Sequence, residues 1–365
     1  MKILKNFSKL SPIPLMGVSI KPSRGFNSAY PVTDAQQLSM VRAVGAKVVR
    51  FDVPWADIEQ KAGVYSWGVY ETRFNAFKAA GVICVLILGQ GNPLYTPAWN
   101  MPPTTAAAYA AFARYAAAAV AKFGSAWAVY EVYNEPNMPA NWGGVANPTQ
   151  YGALLSAASV AMKAASNAAV VVSGGLAVFD PNAFIVKALA GVDKTKLSAI
   201  GFHPYTGADA YISDPAMLPE GVPARLAACR AAIGAGSPPI WNTEQGFELS
   251  KCAGATLAEK QARQGVFASL FVLSAMLSSQ PFAIWYDLID DGTDMTNPES
   301  ECGLFDFNFN IKPSGKGFKA IADLINACTS ATVSGDGTQH QAKFTSATGT
   351  ATTVTWSGAK APVFS

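Results

Sequence analysis

Tyr130-Glu131-Val132-Tyr133-Asn134-Glu135-Pro136-Asn137 is the stretch that decides the fold. An apolar run leads into it, a glutamate closes it and a proline follows at once, as where a buried parallel strand ends in a turn. Ile240-Trp241-Asn242-Thr243-Glu244-Gln245-Gly246 repeats the pattern of short apolar run, glutamate and turn signal. Working outward, strand-like runs recur at 15–20, 47–53, 82–88, 128–133, 169–174, 199–203, 239–243 and 282–288. Helical patterns alternate with them at 34–44, 67–80, 104–123, 151–166, 182–190, 224–235, 257–278 and 316–327. Eight strand-then-helix units predict a (β/α)8 TIM barrel and not an open sheet, spanning 1–328. Glu135 and Glu244 then close the fourth and seventh strands, on the edge where barrels of this kind keep their chemistry.

After Cys328 the texture changes to Ser, Thr and Gly with period-two alternation at 342–345 and 352–356, broken by turn signals at 335–337 and 347–349. This predicts a small C-terminal β appendage, 329–365, packed on the barrel. The segment 104–123 is alanine-rich, but Tyr109, Phe112 and Tyr115 recur at helical spacing and mark it as an amphipathic barrel helix.

Composition narrows the function. Half of the 365 residues are hydrophobic and 14% are charged, which excludes a disordered chain. No apolar run reaches the roughly 18 residues of a membrane helix. Formal net charge is +3 with Lys and Arg scattered, so nucleic acid is not expected as a partner. The only two histidines, His203 and His340, lie far apart with no Cys-x-x-Cys near them, so no His/Cys metal site and no cofactor are expected. Residues 1–10 carry lysines but no continuous apolar stretch or small-residue cleavage site, so no ordinary secretion signal is expected. A target outside the cell would then be reached by lysis, on a phage particle, or after removal of a signal.

Two carboxyl groups facing one bond suit acetal hydrolysis, which needs a proton for the leaving oxygen and a group to stabilise or capture the oxocarbenium-like centre. Glu135 and Glu244 are the candidates. Glu131, four residues earlier on the same strand, shares the face of Glu135 and reads as a buried partner of Arg50, not a third catalyst.

An ordered set of segments extends the pattern: Val49-Arg50-Phe51-Asp52-Val53-Pro54-Trp55, the 131–137 motif, Gly201-Phe202-His203-Pro204-Tyr205, Trp241 to Gly246, Ile284-Trp285-Tyr286-Asp287-Leu288, and Cys302-Gly303-Leu304-Phe305-Asp306 followed by Lys312-Pro313. With these the chain resembles the retaining glycoside hydrolases of the large (β/α)8 clan containing families 5 and 39, in particular the family 39-like bacterial exopolysaccharide endoglycosidases. The resemblance implies Glu135 as general acid/base, Glu244 as nucleophile, and Asn134 as hydrogen-bond partner of the sugar 2-hydroxyl. It implies that Arg50 and Tyr205 hold Glu244 ionised and oriented, and that His203 and Trp285 line the sugar subsite, though Trp285 also reads as barrel filling. The expectation is a monomeric, endo-acting hydrolase of a polysaccharide or oligosaccharide, with an exo-glycosidase such as a β-xylosidase and a non-catalytic carbohydrate-binding or phage adhesin protein as alternatives.

Aromatic residues crowd the loop edge: Trp55, Tyr95, Trp99, Trp142, Trp285 and Tyr286. Trp142, just beyond the 131–137 motif, reads as a sugar platform and Trp55 as a further contact, whereas Trp99 reads as a loop staple. The resemblance calls for a β-sandwich beside the barrel, for which only residues 330–365 remain. Cys252 and Cys302 fall in neighbouring loops and are expected to be paired or close enough to pair, with Cys84 a buried free thiol. The charge of Glu244 is expected to raise the pKa of Glu135.

Overall fold

A computed structural model describes residues 13–21, 32–177, 181–205, 221–294, 297, 300–335, 339–358 and 360–365. The N-terminal segment read for a secretion signal, and most of the turn at 335–337, lie outside them. No helix among the described residues is long and apolar enough to cross a membrane.

The chain divides into two compact units. One comprises Arg50–His203 and Ala227–Thr243; the other comprises Phe7–Val49, Pro204–Leu226 and Glu244–Ser365. In the first, β2 (Val48–Pro54), β3 (Ile83–Gly89), β4 (Ala128–Asn134) and β5 (Val170–Gly175) follow one another in a parallel sheet. Parallel bridges Val172–Ala199 and Leu176–Phe202 carry it on to β6 (Ile200–Phe202), which pairs with β7 (Ile240–Asn242). All seven residues of β3 are buried, as its unbroken Ile-Cys-Val-Leu-Ile-Leu run requires of a strand covered on both faces. Helix α1 (Asp34–Ala43) leads into β2, the helices α2 (Trp55–Ile58), α3 (Gly68–Ala79), α4 (Ala106–Phe123), α5 (Pro148–Ala165) and α6 (Pro181–Ala188) lie between these strands in the sequence, and α7 (Gly221–Ile233) precedes β7. In α4 the buried Ala108, Ala111, Ala116 and Ala119 leave little side chain in the way, so α5 packs closely against it. Thr105 starts α4 by accepting from the Ala108 N–H at 3.2 Å.

In the second unit β1 (Leu15–Ser19) pairs in parallel with β8 (Phe282–Trp285), the Lys47 N–H donates to Met16 O at 2.7 Å, and Gln245 bridges in parallel to Trp285. The helix α8 (Leu257–Leu277) begins with a capping box between Thr256 and Glu259 and packs on α9 (Pro313–Ala327). That packing is close. A Cβ on Gly317 would meet Gly265 O at 2.1 Å.

Eight strands, each followed by helix and each parallel to its sequence neighbour, are the plan of the (β/α)8 TIM barrel. The expected strands and helices form within a few residues of their predicted limits, except that β8 stops at Trp285, where the Tyr286 N–H turns to Gln245 O. The C-terminal alternation forms a four-stranded antiparallel sheet, ordered β12 (Val363–Phe364), β11 (Ala351–Trp356), β10 (His340–Ser346) and β9 (Cys328–Gly335). One face buries Ala331, Ala342, Phe344, Val354 and Trp356, and the alternate residues are polar.

Candidate active site

At the C-terminal end of β4 the backbone leaves regular strand geometry. Tyr133 and Glu135 take positive φ, 72° and 44°, where a non-glycine residue costs roughly 1–3 kcal/mol. In a regular strand Glu131 and Asn134 would face opposite ways. Here one guanidinium bonds both: Arg50 Nε donates to Glu131 Oε2 at 2.8 Å and Nη2 to Asn134 Oδ1 at 2.7 Å. With its oxygen held by Arg50, Asn134 has its NH2 left to donate elsewhere.

Glu131 is fully buried, and the Gly175 N–H (2.7 Å) and the Thr243 hydroxyl (3.1 Å) also donate to its Oε1. Burial pushes its carboxyl upward, but the charge of Arg50 and the bonds that Arg50 donates outweigh this and hold it at about 2. It is an ionised anchor. Thr243 immediately precedes Glu244, so the anchor also fixes the backbone from which that glutamate springs.

His203, completely buried, lies between Arg50 and Glu135. Its Nε2 is 3.3 Å from Arg50 Nη2, and its Nδ1 is 2.9 Å from Glu135 Oε1. A guanidinium has only protons to give, so Nε2 accepts and Nδ1 carries the hydrogen donated to Glu135. Oε1 is thereby occupied. Oε2 receives only a long bond, 3.3 Å, from Asn141, and remains able to carry a proton. Burial raises the Glu135 carboxyl, but the His203 bond and the charge of Arg50 behind it bring the balance below the ordinary carboxylate value. This reverses the expected upward shift, because a hydrogen-bonded imidazole backed by a cation stabilises the anion.

Gly175 makes room for the ring: a Cβ there would lie 1.9 Å from His203 Nε2. The Glu135 N–H in turn bonds Gly175 O at 2.9 Å. Asn137 pins the turn after Glu135 through a reciprocal pair with Ala177, Nδ2 to O at 2.8 Å and N to Oδ1 at 2.9 Å. Sequence reading missed Gly175, Asn137, Asn141 and Thr243; the Gly174-Gly175 pair closing a strand was the available signal.

In the second unit Glu244 is 8% exposed and its Oε1 accepts from the Tyr205 hydroxyl at 2.9 Å. Arg50, expected to hold Glu244, bonds Glu131, Asn134 and His203.

The aromatic assignments change. Trp285 has no exposed surface; it packs against Phe247 and Phe271, centroids 5.6 and 5.4 Å away, and donates to Cys302 O at 2.8 Å. Of its two readings, barrel filling is the one that fits, and partly exposed Tyr286, next along the chain, is the other ring at this strand end. Trp55 is equally buried, stacked on Tyr95 at 5.1 Å and bonded to Glu59 at 2.6 Å, and offers no face to a sugar. Trp142, 3% exposed, packs edge-on against Tyr133 and Tyr151 and donates to Gln150, so it staples its loop. Trp99, read as a staple, is 43% exposed. A pattern of loop aromatics shows that rings are present but not which ones their neighbours cover.

Cys84, Cys229, Cys252, Cys302 and Cys328 are free thiols, so of the two expectations for Cys252 and Cys302, paired or close enough to pair, the bond is not formed. Cys252 Sγ contacts Glu248 O at 3.6 Å within its own loop, and Cys302 O is taken by Trp285. Cys84 is a buried thiol, pushed far up by burial.

No protein-family model matches the chain, and no curated protein does. Solved structures do. A family 39 glycoside hydrolase from the gut symbiont Bacteroides cellulosilyticus WH2 is similar over 95% of this chain and 71% of its own, with TM-score 0.73 and 22% identity. A monomeric β-xylosidase from Caulobacter crescentus CB15 matches over 92% and 74% (TM-score 0.66, 18% identity). Xylanase 10C from Cellvibrio japonicus matches over 87% and 72% (TM-score 0.60, 13% identity). At such identities the likeness is one of fold: the chain has the (β/α)8 barrel fold of these glycoside hydrolases.

Proposed function

We propose that the protein is a retaining glycoside hydrolase that cleaves within a polysaccharide chain, with Glu135 as general acid/base and Glu244 as nucleophile. The observation that carries this reading is the bonded set of Arg50, Glu131, Asn134, Glu135 and His203 at the end of β4. It leaves one carboxyl oxygen able to hold a proton, beside an amide able to donate to a sugar hydroxyl.

The proton on Glu135 Oε2 passes to the glycosidic oxygen while Glu244 attacks the anomeric carbon; the bond to the leaving sugar breaks and a glycosyl ester forms. The Tyr205 hydroxyl donates to Oε1 of Glu244 and orients the attacking carboxylate. Ester formation removes the charge on Glu244. Glu135, now ionised, takes a proton from water, whose oxygen attacks the same carbon and releases Glu244 as carboxylate. Two displacements give net retention, which calls for the two carboxyl groups to lie about 5–5.5 Å apart. In the free protein the His203 bond favours ionised Glu135, so the acid form builds up when a bound sugar excludes water and the nucleophile's charge is felt.

Two of the similar structures are named for xylan or xylosides, so β-linked plant glycans stand beside bacterial exopolysaccharides and capsules as substrates to try. Such polymers lie outside cells, where the protein would act. The test is a screen of purified protein for new reducing ends, with NMR of the first product. Retained configuration and early oligosaccharides are expected, with hydrolysis lost in Glu244→Ala. An inverted product, or full turnover in that variant, would overturn the assignment; monosaccharide appearing first would show exo action.

A further inference from the structure

Each oxygen of the Glu135 carboxyl meets a different donor. His203 Nδ1 holds Oε1 at 2.9 Å, and Asn141 Nδ2 lies 3.3 Å from Oε2, the oxygen to which the mechanism above gives the proton. Asn141 sits in a short 3-10 turn, Pro139–Trp142, in the loop that follows Glu135. Backbone bonds build this turn. The Met138 N–H bonds Glu135 O at 2.9 Å, the Asn141 and Trp142 N–H groups bond Met138 O at 3.0 and 3.1 Å, and the Gly144 N–H bonds Pro139 O at 2.7 Å. Gly143 ends the turn at φ 69°, which glycine adopts without strain. Tyr133 then fixes the Asn141 backbone by donating its hydroxyl to Asn141 O at 2.9 Å, while its ring meets Trp142 edge-on at 5.0 Å. Tyr133 is also one of the two positive-φ residues that take Glu135 out of strand geometry. One distortion of the backbone therefore places both the carboxyl and the amide that meets it.

An amide NH2 can only donate, and it donates best to a charged oxygen. The Asn141 contact is thus made to ionised Oε2 and weakens when that oxygen takes up a proton. The other groups that face Glu135 act differently. His203 bonds Oε1 and Arg50 stands behind that imidazole, both favouring the anion, while the like charge of Glu131 opposes it. The Glu244 charge invoked for the bound state is the same whatever occupies position 141. Asn141 adds a neutral donor at the atom where protons leave and arrive, from a partly exposed loop position.

We propose that Asn141 is a positioning residue that sets the pH at which Glu135 passes between its acid and base forms, by donating to the oxygen that exchanges the proton. This rests on the glycosidase reading for its place in the reaction, but its first test needs no turnover. Full-length protein labelled in its glutamate carboxyl carbons is titrated by NMR, with the Glu135 signal identified by its loss in Glu135→Gln. Asn141→Leu removes the donor, so Glu135 should titrate at higher pH than in wild type. Asn141→Asp, of the same shape, puts a like charge there and should move it further in the same direction. The second test reads both roles of the carboxyl. In Asn141→Leu the alkaline limb of kcat/KM on natural glycan should move to higher pH, because the acid keeps its proton longer. The acidic limb of kcat on dinitrophenyl β-xylobioside or β-cellobioside, where the second displacement is slow and needs ionised Glu135, should move the same way. A merely structural defect would lower both profiles without moving either limb. An unmoved Glu135 titration in both variants, or limbs that stay in place while it moves, overturns the proposal. A shifted titration in a protein that cleaves no glycoside would keep the Asn141 contact and sink the hydrolase reading; cleavage with an unshifted titration would do the reverse.

Discussion

Glu131 and Glu135 stand four residues apart at the end of one strand, bonded to the same imidazole–guanidinium pair, yet their surroundings differ. Glu131 has no exposed surface and collects a guanidinium, a backbone N–H and a hydroxyl; Glu135 is 20% exposed, keeps one oxygen under His203 and presents the other toward solvent with a single long bond. A carboxylate that is saturated and dry is a structural charge. One that is half-saturated beside water can gain and lose a proton during a reaction. The difference comes from a left-handed turn of backbone at Tyr133 and Glu135, not from residue type.

The largest expected effect attacks the anchor. Glu131→Gln strands the buried Arg50 charge and should lower stability in urea by about 3–5 kcal/mol, whereas Glu135→Gln should cost under about 1 kcal/mol. Because the folded-state pKa of Glu131 is depressed to about 2 from the ordinary 4.5, its contribution is fully present above pH 4.5 and is lost as pH falls through about 2. The stability gap between wild type and Glu131→Gln should therefore close over that window. Equal losses for the two glutamine variants would erase the distinction between the two glutamates.

Next comes the proton donor. Glu135→Ala should lower kcat/KM on natural glycan by roughly 100-fold or more, but should spare aryl glycosides whose leaving groups need little protonation. Equal loss on both substrates would mean that Glu135 positions and does not protonate. The smallest effect sharpens the role of the imidazole. His203→Gln removes the bond that favours the Glu135 anion, so the pKa of Glu135 should rise and the alkaline limb of kcat/KM should move to higher pH. A fixed limb would assign that ionisation to another group.

Strand and helix positions were legible because burial imposes its period on the sequence, and both glutamates were legible because each closes such a run. That Glu131 turns inward followed from alternation, and Arg50 is the partner it meets there. What could not be read was set by neighbours distant in sequence. Trp142 is covered because Tyr133 and Tyr151 meet it edge-on, whereas Trp99 keeps 43% of its surface exposed. The downward balance on Glu135 depends on which ring nitrogen faces Arg50, a matter of a few ångströms. Cys252 and Cys302 share a neighbourhood in topology, yet both are free thiols.

The missing side chain at position 175 has a historical meaning. With the His203 nitrogen 1.9 Å from where a Cβ would stand, alanine at 175 and histidine at 203 exclude each other unless the backbone moves. Substitutions at the two sites are therefore epistatic, and their order of appearance is constrained. A lineage can acquire the imidazole only from an ancestor already bare at 175. A descendant that fills that position has first to surrender the ring, and with it the hydrogen bond on Glu135 Oε1.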